Sequence, residues 1–267
     1  MKDKDVRVFR RAVWAYYTKH KRGELLWRKT HDPYKILVSE VMLQQTQVPR
    51  VIGKYKEFLI AFPTIYLLAQ ASLSEVLKVW SGLGYNRRAK YLHDAARAIV
   101  TEYRGDVEVA TLAKKLPGVG PYTKAAVRVF AFNEPHALIE TNVRAAYIHH
   151  FYSSVLQKTA IPDKELMPII EKAAEGQDPR DWHWALMDYG SYIKKTHKNP
   201  ARRSASHVRQ SKFEGSLRQV RGAILRALHE GASIKKLPYE QARLKTALAS
   251  LQKDGLIAKA GKGWRIA

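Results

Sequence analysis

The stretch Leu116-Pro117-Gly118-Val119-Gly120-Pro121-Tyr122-Thr123 decides how the rest of this chain is read. Pro117 has no amide hydrogen, and its ring disfavours a helical conformation at Leu116, so a helix ending over 111–115 stops there. Gly118 and Gly120 then let the chain turn with positive φ, and Pro121 suits the first turn of a new helix expected over 122–132. Two helices joined by a glycine hairpin leave amide N–H groups and a helix N-terminus exposed, and both attract an anion such as phosphate. Lys124 adds a positive charge beside them. A lone Gly-x-Gly also makes an ordinary helix–helix turn, so its neighbours decide between the two readings.

Charge is the first of those neighbours. The 267 residues carry 47 Lys and Arg against 24 acids, a net charge of +23. That balance calls for a polyanionic partner, most simply nucleic acid, with association that weakens steeply in salt. An anionic membrane surface is the rival, but no apolar run is long enough to span a bilayer and the opening residues are not a signal peptide. A cytoplasmic or nucleoid-associated protein is expected. With no cysteine, disulfides, thiolate metal sites and a cysteine-ligated iron–sulfur cluster are excluded.

Apolar residues recur at helical spacing through most of the chain. Val6, Phe9, Val13, Trp14 and Tyr17 form one stripe, so a first amphipathic helix is expected over 6–20. A second is expected to start at about Tyr34, after Asp32-Pro33, and to run to Thr46. It carries Glu40 among Ile36, Leu37, Val41 and Leu43, where an apolar face disfavours a carboxylate, although a solvated helix-face Glu is the commoner case. Further helices are expected over 48–62, 66–70, 73–80 and 87–103, with Gly82-Leu83-Gly84-Tyr85 as a break. Thr141 and Asn142 are good cap residues, which puts Glu140 just outside a helix start, where the dipole favours the ionised form. Helices over 162–175 and 182–193 complete a main domain read as all-α, over 1–193. Residues 194–212 hold seven Lys or Arg and no acid, and read as a flexible basic linker. Residues 213–267 read as a separate module, helices followed by a short hairpin around Gly261-Lys262-Gly263, the order of a winged helix. Residues 201–267 hold 15 Lys or Arg against 4 acids, which suits a second contact with a polyanion.

Taken together, Trp27-Arg28, Asp32-Pro33-Tyr34, the run from Ser39 to Val48, Phe62-Pro63-Thr64, Trp80 with Gly82-Leu83-Gly84-Tyr85, the glycine hairpin and Leu186-Met187-Asp188-Tyr189-Gly190 resemble the helix-hairpin-helix DNA glycosylases. Within them the chain is similar to the MutY-type adenine glycosylases, over about 7–193. The resemblance implies a two-lobed all-α glycosylase domain. It implies Glu40 as general acid and puts Glu140 where the family carries its catalytic Asp, before the Asn-Val pair. Gln45 and Tyr85 fall on residues that probe and wedge the base stack, and Gly118, Gly120, Tyr122 and Lys124 fall on the DNA-binding hairpin. The chemistry fits those roles. Breaking an N-glycosidic bond develops positive charge on the sugar and negative charge on the base, so a proton donor and a nearby anion both help. For Glu40 to donate at neutral pH its pKa must be raised, as a partly apolar pocket does.

Three departures from the family stand in the sequence. The four cysteines that usually hold an iron–sulfur cluster are absent, with Lys194-Lys195-Thr196 after Ile193, so no cofactor is expected. The acid at 140 is Glu, one methylene longer than Asp, and Thr141 replaces the usual Gly. The domain that checks for 8-oxoguanine is replaced by the short basic module. Bifunctional relatives carry Lys where this chain has Tyr122, which cannot form a Schiff base. The leading expectation is a monofunctional, monomeric enzyme removing a mispaired base from duplex DNA, adenine opposite 8-oxoguanine or guanine. A thymine or uracil mismatch glycosylase and a catalytically silent DNA-binding protein are the alternatives.

Overall fold

The computed structural model describes residues 3–153, 160–209, 211–261 and 263–267. Lys262, at the expected hairpin turn, and Gln210, in the expected linker, lie outside them. Helices follow one another as α1 (Asp3–His20), α2 (Pro33–Leu43), α3 (Val48–Ala61), α4 (Ile65–Gln70), α5 (Leu73–Trp80), α6 (Arg87–Tyr103), α7 (Val107–Leu112), α8 (Pro121–Phe132), α9 (Thr141–Tyr152), α10 (Asp163–Ala174), α11 (Pro179–Thr196), α12 (Leu217–His229) and α13 (Gln241–Lys253). Two strands close the chain, β1 (Ile257–Ala260) and β2 (Gly263–Ile266), paired antiparallel with Ile257 opposite Ile266. The fold is all-α in its main part, with a small helix-then-hairpin module at the C-terminus.

Contacts divide the chain into two units, Met1–Ile36 with Pro121–Arg209, and Leu37–Gly120 with Gln210–Ala267. In the first unit, Val6, Phe9 and Val13 of α1 pack on Val143, Ala146 and Tyr147 of α9 and on Trp182, Ala185 and Leu186 of α11. Phe9 stands edge-on to Trp182 at 6.1 Å and tilted to Tyr147 at 4.6 Å. Burying each of these large side chains contributes roughly 1.5–3 kcal/mol, which is what makes the stripe on α1 obligatory.

The second unit is built on α6, whose Leu92, Ala95, Ala96 and Ile99 are buried. Ser72 and Glu75 form a reciprocal capping box that starts α5. Phe58 of α3 meets Trp80 of α5 edge-on at 6.0 Å. The C-terminal module is held by Val220, Ile224, Leu244, Ala247, Leu251 and Leu256, all buried.

Two expectations about organisation are corrected. Residues 194–209 are not a free linker. Lys194 to Thr196 end α11, and Pro200–Arg203 form a short 3-10 helix with Pro200 and Ala201 buried. Ile161 brackets this segment, donating to Arg203 O at 2.8 Å and accepting from Ala205 N at 2.9 Å. Lys195, Lys198, Arg202 and Arg209 are exposed, Lys194 and Arg203 are half-buried, and the small residues supply a packing surface, so composition alone suggested a flexible linker. Likewise α2 ends at Leu43 rather than Thr46, for a reason that lies in the site.

Candidate active site

Glu140 caps α9. Its backbone is extended (φ −135°, ψ −177°), and its Oε1 accepts from the amides of Asn142 at 2.8 Å and Val143 at 3.0 Å. Its Oε2 accepts from Asn142 Nδ2 at 3.2 Å. The sequence placed the cap at Thr141 or Asn142. Instead the longer Glu side chain curls back over the helix end, and a carboxylate there is favoured by the unpaired amides and the dipole.

Neighbouring residues hold that first turn in place. Gly190 of α11 lies against the Asn142 carbonyl so closely that an added Cβ would overlap it, which gives the glycine of Leu186-Met187-Asp188-Tyr189-Gly190 its reason. One turn further on, Lys194 Nζ donates to Asn142 Oδ1 at 3.0 Å. Burial lowers the Lys194 pKa, while Glu140 opposes that shift. By the resemblance drawn from the sequence, this lysine falls where the family's cluster would begin. Cysteine ligands are lacking altogether, and no group of His, Asp and Glu suited to a metal occurs among the described residues. The residues present do not fit an iron–sulfur cluster.

Asp188, on the same helix, is committed elsewhere. It is 2% exposed and accepts from both terminal nitrogens of Arg28, at 2.7 and 2.8 Å, and from Arg22 N at 3.0 Å and its Nε. This ion pair ties the loop bearing Trp27-Arg28 to α11, which explains why those two motifs occur together. Removing one partner of such a buried pair costs about 3–5 kcal/mol.

In the second unit, Glu40 lies on α2, 9% exposed between Ser39 and Val41, both buried. Glu40 is therefore not the solvated helix-face glutamate that is the commoner case. Two residues beyond α2 the chain turns sharply, and Gln45 sits exposed at φ 54°. Tyr85 sits at φ 48°. Such left-handed conformations cost non-glycine residues of order 1–3 kcal/mol and persist only where the surroundings impose them.

Arg88 imposes both. Its guanidinium donates to the carbonyls of Val41 at 2.8 Å, Met42 at 2.9 Å and Gln44 at 2.5 Å, which terminates α2, and to Gly84 O at 3.2 Å, which fixes the loop before Tyr85. Its plane lies 5.4 Å from the ring centres of both Trp80 and Tyr85. Burial pulls its pKa down to about 10, still protonated at neutral pH. Sequence reasoning missed this residue. The available signal was a cation in the first turn of a helix, where the dipole disfavours it.

The glycine hairpin is half as expected. Gly118 has φ 65°, Val119 N donates to Leu116 O at 3.1 Å, and a Cβ on Gly118 would run into the Tyr91 side chain. Gly120, in contrast, lies outside the left-handed region, and a Cβ there would meet nothing within 4 Å. One positive-φ residue suffices to reverse the chain, so the expectation for Gly120 is corrected. Both glycines are exposed. Tyr122 and Lys124 follow on α8, both half-buried. Gln45, Tyr85 and Gly118 line one cleft of about 1690 Å³ in the second unit, while Glu140, Tyr122 and Lys124 belong to the first.

The HhH-GPD superfamily base excision DNA repair protein model matches residues 38–173, from within α2, two residues before Glu40, to the last turn of α10. The chain belongs to this superfamily. Among its relatives is the adenine DNA glycosylase of Mycolicibacterium smegmatis, 32% identical over 91% of this chain and 91% of that protein. The adenine DNA glycosylases of Rattus norvegicus and Homo sapiens are 35% and 33% identical over 71% of the chain. The chain spans only 38% and 36% of their lengths. Among solved structures, that of a thermostable thymine-DNA glycosylase has a TM-score of 0.64 at 29% identity, covering 74% of this chain and 91% of that one. A trapped endonuclease III–DNA covalent intermediate, at 19% identity and a TM-score of 0.54 over 80% of this chain and 91% of that one, shares the fold.

Proposed function

We propose that this protein is a monofunctional DNA glycosylase that removes adenine opposite 8-oxoguanine or guanine in duplex DNA, acting as a monomer on the nucleoid. The observation that carries the reading is Glu140, a carboxylate fixed by two backbone amides at the start of α9, in a chain whose curated relatives are adenine DNA glycosylases. A preorganised anion of this kind stabilises a developing sugar cation without having to reorient.

In the proposed reaction Glu40 donates a proton to the departing base as the C1′–N bond breaks, and the electron pair of that bond leaves with the base. Glu140 offsets the positive charge left on the sugar. Water then adds to C1′ and gives up one proton, which restores the Glu40 carboxylic acid, leaving an abasic site with the strand intact. Tyr122 supplies no amine at the hairpin helix, so no Schiff base forms there and strand scission is not coupled to excision. Gln45 and Tyr85 enter the base stack, and Gly118 with the following helix start grips the backbone.

A second reading, thymine removal from T:G mismatches, is favoured by the likeness to the thermostable thymine-DNA glycosylase. Labelled duplexes bearing A:8-oxoG, A:G, T:G, U:G or hypoxanthine pairs, treated with alkali after incubation, separate the two. Alkali-labile product from the A:8-oxoG and A:G duplexes alone supports the first reading. Product from T:G alone supports the second, and none from any duplex contradicts both.

A further inference from the structure

The Glu140 carboxylate is held unequally at its two oxygens. Oε1 takes the backbone amides of Asn142 and Val143, whereas Oε2 takes the Asn142 side-chain Nδ2 at 3.2 Å. Bonds to Oε1 alone would anchor that oxygen and leave the carboxylate plane free to swing about it. The bond to Oε2 sets the plane. Much therefore turns on which way the Asn142 amide faces, since it carries donors on nitrogen and an acceptor on oxygen. Turned over, it would press its carbonyl oxygen against the carboxylate.

Lys194 decides that orientation. Its ammonium has donors only, an ionised carboxylate has acceptors only, and Asn142 lies between them with Oδ1 3.0 Å from Lys194 Nζ. One orientation of the amide satisfies both neighbours, and the other satisfies neither. The fold delivers the lysine through the i,i+4 spacing of Gly190 and Lys194 on one face of α11. The glycine admits the Asn142 backbone, and the lysine reaches the Asn142 side chain one turn later. Lys194 is half-buried, and burial lowers its pKa, as befits a cation that has exchanged water for a protein partner. Glu140 pulls that pKa the other way, which places the two charges within reach of each other's field.

We propose that Lys194 is a positioning residue of the active site, locking the Asn142 amide so that it donates to Glu140 and fixes the plane of the carboxylate. This rests on the glycosylase reading, which gives Glu140 its place beside the sugar. The lysine supports the reacting carboxylate from behind and touches no substrate, in the way that outer partners orient the groups that do.

The test uses the full chain and two readouts. The first needs no reaction: the proton–nitrogen correlation spectrum of the asparagine side chains, with Asn142 assigned by its loss in Asn142→Ala. The wild-type Asn142 amide is expected to be displaced from the free-asparagine position and protected from solvent exchange. Lys194→Met keeps the apolar stem and removes the donor, so it should return the amide to the free position. The second readout is single-turnover excision at saturating enzyme, on the duplex that the excision panel identifies. Lys194→Met should slow it on the order of 10-fold, the scale of one hydrogen bond to a charged group, with duplex affinity and its salt slope unchanged. Lys194→Arg keeps charge and donors and should recover most of both the spectrum and the rate. Lys194→Met added to Asn142→Ala should cost nothing further, because the lysine acts through the asparagine. An unmoved amide or an unchanged rate in Lys194→Met, weaker duplex binding with a flatter salt slope, or additive losses in the double variant overturns the proposal. If no duplex in the panel yields an abasic product, the glycosylase reading fails by itself, and the amide spectrum still decides whether Lys194 holds Asn142.

Discussion

Replacing Glu140 by Asp separates capping from catalysis. In the structure the Glu140 carboxylate accepts three hydrogen bonds, two from the backbone at 2.8 and 3.0 Å. Asp is an inherently better N-cap than Glu, because its shorter side chain reaches the N2 and N3 amides without curling back. Glu140→Asp should therefore leave the melting temperature unchanged or raise it, within about 1 kcal/mol, which corresponds to a few degrees in a chain of this size. The same change withdraws the charge by about 1 Å from the place the proposed mechanism gives it beside the sugar, and a displacement of that size costs on the order of 10²-fold in rate. Glu140→Gln keeps an oxygen acceptor for the amides but loses the charge. It should cost only about 0.3–1 kcal/mol of stability while nearly abolishing excision. Single-turnover excision at saturating enzyme, paired with a thermal melt, reads both quantities on each variant. Wild-type excision by Glu140→Gln would remove this residue from the mechanism. Full activity in Glu140→Asp would show that the local backbone is indifferent to the added methylene.

Other expectations follow from the supporting residues. Gly118→Val combines a φ of 65° with overlap on Tyr91, so it should weaken binding to matched and mismatched duplexes alike, while Gly120→Ala leaves the fold intact. Gel-shift titrations compare the two, and loss of mismatch discrimination at unchanged affinity would count against the backbone-gripping role. Arg88→Met strands the carbonyls of Val41, Met42 and Gln44 and should destabilise by at least the roughly 1–3 kcal/mol of an unsatisfied buried group. Arg88→Lys should not restore stability or excision, since an ammonium cannot make the same fork, and denaturant midpoints with excision rates test both variants. His150 and His183 are held neutral in the first unit, burial pushing each pKa down to about 4. Their folded values lie below the unfolded 6.5, so the unfolded chain binds more protons between these limits. The stability they contribute is full above pH 6.5 and drains away as pH falls toward 4. Urea midpoints across that range should decline, and the decline should shrink in His150→Gln and His183→Gln.

Much of this was legible because it depends on periodicity and local chemistry. The stripe on α1, the Ser72 start of α5 and the turn at Gly118 each follow from spacing, a capping side chain or a φ requirement. Glu40 stood out because burial of a carboxylate contradicts its apolar neighbours. What escaped is long-range. Arg88 acts on carbonyls more than 40 positions away, and Arg218 meets Tyr85 across 133 positions. Nothing in either local sequence encodes such a meeting. The cap at Glu140 was missed for another reason, since statistical preference favours Thr141 and Asn142, and only the side chain's reach reverses it. The basic run after Ile193 was misread because charge said disorder while Pro200, Ala201 and Ser204 were the residues that mattered.

The most direct measurement compares wild type with Glu40→Gln on an A:8-oxoG duplex, following single-turnover excision by alkali cleavage and binding by titration. Glutamine keeps the shape and hydrogen-bonding capacity of Glu40 but has no carboxylic proton to deliver. The account predicts an abasic product with the wild type, a fall in rate of ~10²–10⁴-fold with Glu40→Gln, and duplex affinity preserved. Excision by Glu40→Gln at the wild-type rate contradicts it.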